Sequence, residues 1–195
     1  MVFLTLGRRQ GDAKVNEMGE ESVITSERRF RRATMADLPT MQKIYEHARK
    51  LMASNGNPTQ WGDKFPREEV VRDDIESQRT VLLVDTVDGE ERVLAQFALC
   101  PGIDPTYVNI DGAWLDDDPY VTIHRIASSG LAKGAAKDCI NWCIEHYGNV
   151  RADTHPNNKA MQHVLESNGF ARCGLIQLLD RPSDTTRIAY QRHEW

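Results

Sequence analysis

Long apolar runs are missing from this chain. No stretch of its 195 residues approaches the roughly 18 consecutive apolar residues that cross a bilayer, so a helical membrane protein is not expected. The opening MVFLTLGRRQ holds too short an apolar segment for a signal-peptide core. An excess of positive charge is missing as well. The formal net charge is −5, whereas nucleic-acid binding rests on a basic surface that displaces counterions from phosphates. No nucleic-acid partner is expected. Cysteine is scarce: Cys100, Cys139, Cys143 and Cys173 form no C-x-x-C pair and no zinc-type spacing. They suit small buried thiols in a reducing cytoplasm, and no metal site is expected. Neither a Walker loop nor G-x-G-x-x-G occurs, and there are no internal repeats.

What is present is a regular alternation of periodic segments. Residues 1–27 lack periodicity and read as a flexible tail. A strand starts at Phe30. In TMADLPTMQKIYEHARKLMASNG, Leu38, Met41, Ile44, Tyr45, Ala48, Leu51 and Met52 recur at helical spacing, behind a cap at Thr34 or Asp37. REEVVRDDIESQ reads as a shorter helix. TVLLVDTV and ERVLAQFALC read as strands joined by the hairpin turn Asp88-Gly89. A loop rich in Asp, Gly and Pro follows over residues 101–119. Then come the strand YVTIHRIAS, the helix KGAAKDCINWCIEHYG, the strand NVRADTH and the helix NNKAMQHVLESNG. The strands FARCGLIQLL and TRIAYQRHEW end the chain. The order β-α-α-β-β-β-α-β-α-β-β predicts a mixed sheet, antiparallel first and with a parallel pair in its middle.

One junction is chemically suggestive. In HRIASSGLAKGAA a strand hands over to a helix through Gly130 and Gly134, with Ala135 and Ala136 opening the helix. Unpaired N–H groups and the helix dipole favour an anion there, and residues without bulk let a phosphate approach. Lys133 adds a positive charge. The same small residues would equally serve a tight strand-to-helix turn that only packs closely.

These segments together resemble the GNAT superfamily of acyl-CoA-dependent N-acetyltransferases, from about Phe30 to Trp195. RRATMADLPTM resembles the family's start. HRIAS resembles its central strand. Residues 131–136, LAKGAA, resemble its Q/R-x-x-G-x-G/A loop. NVRADTHPNNKAM resembles the strand that follows with its Asn, and ESNGF resembles its E-K-x-G-F. The resemblance implies an α/β fold: one GNAT-like domain over residues 28–195, its mixed central sheet flanked by helices and splayed at the middle. It implies acetyl-CoA as co-substrate. The pantetheine arm would bond to Ile126, Ala127 and Ser128, the pyrophosphate would lie on Leu131, Ala132, Lys133, Gly134, Ala135 and Ala136, and Asn158 would support the pantetheine. An amine of a small molecule or a peptide would attack the thioester directly.

Three departures stand out. Leu131 replaces the loop's usual Gln or Arg, the loop is about two residues shorter, and Leu165 holds the position of a common tyrosine acid. The last leaves open a non-catalytic acyl-CoA sensor or partner module. A longer acyl donor is a further alternative. In the implied reaction a base must deprotonate the amine, and His124 and His155 are the candidates; each could instead be a structural histidine. Asp153 shares a strand face with His155. Trp61, Tyr107 and Trp114 could wall a small acceptor, or pack beneath their loops. Asp116, Asp117 and Asp118 read as a solvated run, and Trp142 as core. Met161 fits either the cofactor or the core. Strands near the C-terminus offer a route to a homodimer.

Overall fold

The computed structural model describes residues 27–194. The expected tail over residues 1–27 lies outside the described residues save for Glu27.

β1 (Arg29–Arg32) leads through a 3-10 turn (Met35–Asp37) into α1 (Leu38–Ser54). The turn is fixed by the Thr34 N–H, which donates to Asp37 Oδ2 at 2.8 Å. Both residues expected as caps thus act, and Asp37 is also gripped by Arg31. α1 buries Leu38, Met41, Ile44 and Tyr45, one face at three- and four-residue spacing. α2 (Glu68–Glu76) follows, then the hairpin of β2 (Thr80–Val87) and β3 (Glu90–Pro101). Asp88 and Gly89 both take positive φ, +53° and +81°, the conformation of the tight hairpin turn.

The loop expected over 101–119 contains structure of its own. A 3-10 turn spans Pro105–Tyr107, and β4 is Asp111–Gly112. β4 pairs with β7 at Gly112↔Gly174. A Cβ on Gly112 would meet the Cys173 oxygen at 2.2 Å, so only glycine lets the two backbones come this close. The rest runs β5 (Val121–Ser128), α3 (Ala135–Tyr147), β6 (Asn149–Thr154), α4 (Lys159–Ser167), β7 (Ala171–Gln177) and β8 (Thr186–His193).

The strands form one sheet in the order β1-β2-β3-β5-β6-β8-β7-β4. Every neighbouring pair is antiparallel except β5 and β6. The expected mixed α/β sheet is therefore present. α3 and α4 cover one face, burying Cys139, Ile140, Cys143, Ile144 and Leu165 against Val81, Leu83, Phe97, Ile123, Val150 and Tyr190. α1 and α2 cover β2, β3 and the end of β5 on the other face. Its far end is covered by the 102–120 loop, where Tyr107 packs on Cys173, Ile176 and Ala189. Burying one such large apolar side chain contributes about 2 kcal/mol. Trp142 is partly buried, stacked on Phe30 at 5.1 Å. All four cysteines are free thiols, and three are buried.

Candidate active site

The site begins where the parallel pair ends. β5 and β6 pair at Val121↔Val150, Thr122↔Arg151 and Ile123↔Ala152, and no further. β6 continues on β8 through Thr154, while β5 stays on β3 through Ser128. The strands therefore part after Ile123 and Ala152, as expected for a splayed sheet. A backbone irregularity marks the fork. Arg125 has φ +55°, and the β3–β5 register shifts opposite it, between Gln96 and Ala98. Positive φ at a residue with a Cβ costs about 1 kcal/mol. Asp74 of α2 offsets this: its Oδ2 accepts the Arg125 Nε at 2.8 Å while Oδ1 accepts the Arg79 Nε at 2.9 Å. The bulge bends β5 away from β6.

A cavity of about 420 Å³ fills the fork, a size that suits a cofactor arm with a small acceptor. Ile126, Ala127 and Ser128 line one wall, and Ala152, Asp153 and Thr154 the opposite one. The backbone groups of residues 126–128 have no partner on β6. Ala136 and Asn158 also line it. Asn158 caps α4, accepting the Met161 N–H at 3.1 Å, and donates to Gln60 Oε1 at 3.0 Å. Met161 both lines the cavity and packs on the core. The 55–67 loop forms a roof, with Trp61 and Phe65 over the cavity and Trp61 edge-on to Tyr45 at 5.7 Å.

Residues 131–135 do not line this cavity; they lie in the segment between Ser128 and Ala136, which do. Gly134 caps α3 with φ +78°, and a Cβ there would meet nothing within 4 Å. Its surface is open to a ligand. Gly130 has φ +83°, and a Cβ there would press on His47 Nε2 at 3.1 Å. Leu131 and Lys133 are exposed and Ala135 is buried. Arg28 steadies the turn by donating to the Lys133 carbonyl at 3.0 Å and pairing with Asp138.

The two candidate bases differ. His124 lines the cavity. Its Nε2 lies 2.7 Å from Asp104 Oδ2, and Nδ1 has no partner among the described residues. A carboxylate on Nε2 places the proton there and leaves the Nδ1 lone pair free. Burial pushes the Asp104 carboxyl up, but hydrogen bonds from His124 and Thr106 outweigh it and hold the group below its usual range. His155 is buried outside the cavity. Its Nδ1 accepts the Asn157 N–H at 3.0 Å and its Nε2 lies 2.8 Å from Asp184 Oδ1. With both ring nitrogens committed, His155 secures the entry to α4 and has no lone pair for a substrate. Asp153 does not hold His155; it accepts the Tyr107 hydroxyl at 2.7 Å. Burial, then that carboxylate, push the Tyr107 phenol well above its usual pKa.

Tyr107 and Trp114, expected as acceptor walls, are not in the cavity lining. The Trp114 indole donates to the Tyr107 carbonyl at 3.1 Å, and the Arg151 guanidinium lies 4.0 Å over its ring. They are the loop's own small core. Asp116 is not merely solvated either, since it binds Asn149 and His193. Leu165, at the position of the tyrosine acid, is fully buried at the cavity wall. The sequence pattern did not reveal Asp104, Gln60, Phe65, Arg181 and Arg187, all of them cavity residues.

No family profile matches the chain, and no curated protein does. Solved structures do match. A GNAT-family acetyltransferase from Streptococcus agalactiae is 30% identical, with a TM-score of 0.75, over 86% of this chain and 96% of that one. The fold also matches a putative acetyltransferase from Salmonella typhimurium, solved with its cofactor acetyl-CoA. That protein is 16% identical, with a TM-score of 0.53, over 85% of this chain and 93% of that one. A ribosomal-protein-alanine N-acetyltransferase from Brucella melitensis is 17% identical, with a TM-score of 0.57, over 85% of this chain and 99% of that one. Identity, coverage and the forked sheet agree: the chain belongs to the GNAT family of acetyltransferases.

Proposed function

We propose that the protein moves an acetyl group from acetyl-CoA to a primary amine, by direct attack and in the cytoplasm. The observation that carries this is His124. It stands in the fork with Asp104 on one ring nitrogen and the other nitrogen free. In this reading the pantetheine arm lies along residues 126–128, whose backbone on the side away from β3 has no partner on β6 and accepts it as a strand accepts its neighbour. The pyrophosphate rests on the Gly130–Gly134 turn and the first N–H groups of α3. Asn158 borders the arm. That the Salmonella relative in fold holds acetyl-CoA supports this choice of donor.

The incoming ammonium gives a proton to His124 Nδ1, and Asp104 steadies the imidazolium that forms. The free amine attacks the thioester carbonyl. A backbone N–H of the fork stabilises the oxyanion. The C–S bond then breaks, coenzyme A leaves as a thiolate, and the extra proton on the new amide nitrogen passes to that thiolate. A thiol is acidic enough, with a pKa of about 8.5, to leave without a side-chain acid. The apolar Leu165 in place of a tyrosine is therefore compatible with turnover. Trp61 and Phe65 wall the acceptor side.

The test is release of free thiol from acetyl-CoA in the presence of amines, with the acetylated product identified by mass. Turnover supports the reading. Tight acetyl-CoA binding without thiol release for any acceptor would favour a sensor module instead. A propionyl- and butyryl-CoA series fixes the acyl preference.

A further inference from the structure

One cationic side chain of the cavity has no role in the chemistry above. Arg187 opens β8 and lines the cavity, yet it is only 2% exposed. Its Nη1 is satisfied, donating to the carbonyls of Asp184 and Thr186 at 2.7 Å each. Its Nη2 is buried and has no hydrogen-bond partner among the described residues. A buried N–H left unbonded is costly, more so when it is charged, so an acceptor brought to it is favoured.

The surroundings select the sign and shape of that group. Arg181 also lines the cavity, held by the Gln60 carbonyl at 2.8 Å and lying 5.0 Å from the Phe65 ring. Burial, and then the charge of Arg181, pull the Arg187 guanidinium below its usual pKa, while Asp153, Asp184 and Asp180 pull the other way. Two of these carboxylates have other duties. Asp153 accepts from Tyr107, and Asp184 faces His155; the Asp184 carboxylate stands 3.9 Å from Arg187 Nη1, not at Nη2. Asp180, which also lines the cavity, pairs with Arg181 at 3.5 Å; none of the three carboxylates bonds Nη2, and this unbonded guanidinium N–H calls for an anion. The same cavity is lined by His124 and Asp104, where the reacting amine belongs.

We infer that the acceptor carries a carboxylate as well as its amine, and that Arg187, assisted by Arg181, binds that carboxylate. The acceptor is then an amino acid, and not a neutral amine or the amidated end of a peptide. This inference rests on the acetyl-transfer reading of the cavity.

The experiment compares matched acceptors on the full chain with acetyl-CoA. Alanine, glutamate, phenylalanine, β-alanine and γ-aminobutyrate are each run against their carboxamides and their decarboxylated amines. At least one amino acid is expected to exceed both its partners tenfold or more in kcat/KM, mostly through KM. Arg187→Gln should erase that preference while leaving acetyl-CoA affinity unchanged by calorimetry, and Arg187→Lys should restore part of it. Should the Arg187 variants fail to fold, Arg181→Met is the second probe, with KM rising several-fold for the amino acid and not for its amide. Equal or better use of the amides or simple amines would overturn the inference. So would the absence of thiol release with every amino acid, in a protein that binds acetyl-CoA. Failure to bind acetyl-CoA would instead remove the acetyl-transfer reading, and this inference with it.

Discussion

Asp104 and His124 meet at 2.7 Å, Oδ2 to Nε2, although they come from different elements. Asp104 sits at the start of a 3-10 turn, where its other oxygen caps Thr106 at 2.8 Å. His124 sits on β5, next to the bulge. The turn thus fixes the carboxylate, and the carboxylate fixes the tautomer of the imidazole.

If His124 takes the proton from the amine, His124→Ala lowers turnover most at acidic pH. In alkaline solution the amine is already neutral and needs no base. The expected loss is about 100-fold below pH 7, shrinking as pH rises past 9. A small loss, the same at every pH, would demote His124 to packing.

Asp104→Asn changes the tautomer without removing the hydrogen bond. An amide N–H facing Nε2 moves the ring proton to Nδ1, where the lone pair was. We expect kcat to fall about 10- to 100-fold with acetyl-CoA affinity unchanged. An unchanged kcat would show that the pair is structural.

Asp74 anchors the bulge from outside the site. Its side chain is only 3% exposed and is shared by Arg79 and Arg125. Asp74→Asn leaves Arg125 without its counter-charge and Arg79 with only Asp73, and should cost about 3 kcal/mol of unfolding free energy in urea. A cost below about 1 kcal/mol would mean that β5 holds its positive φ unaided.

Asp37 gives a stability signature in acid. Its hydrogen bond from Arg31 outweighs burial, and with the Thr34 bonds it lowers the carboxyl pKa from 3.8 to about 2. A carboxyl depressed in the folded state stabilises it fully above the unfolded value. That contribution fades as pH falls through the folded value. The stability gap between the protein and Asp37→Asn should therefore be full at pH 5 and narrow from pH 3.8 towards about 2. A gap constant over that range would show that the charge of Asp37 is not what counts.

The fold was legible wherever local pattern and tertiary packing agreed. The apolar face of α1 and the Asp88-Gly89 turn are local signals that the sheet simply accepts. β4 was not legible, because two residues carry no period; the matching pair Gly112 and Gly174 was its trace. Residues 126–128 and Asn158, which line the cavity, stand out in the sequence because they sit at strand and helix ends. Asp104 and Arg187 do not. Asp104 acts across a loop, and Arg187 has the pattern of any charged residue in an alternating strand. Tyr107 and Trp114 misled for a physical reason: a long loop over a sheet needs a core of its own, and aromatics supply it. His155 misled because a neighbouring main-chain N–H claims its second nitrogen.

The most direct test of acetyl-CoA recognition is titration calorimetry with that ligand, with NADH and ATP as controls and Gly134→Leu beside the unmodified chain. Gly134 has open space around it, so the variant should lose only about 1 kcal/mol of stability through its positive φ. A pyrophosphate cradle at this turn predicts micromolar binding of acetyl-CoA alone, weakened at least tenfold in a variant that still melts cooperatively. No binding by the unmodified chain, or equal binding by the variant, would contradict it and return the turn between β5 and α3 to a packing role.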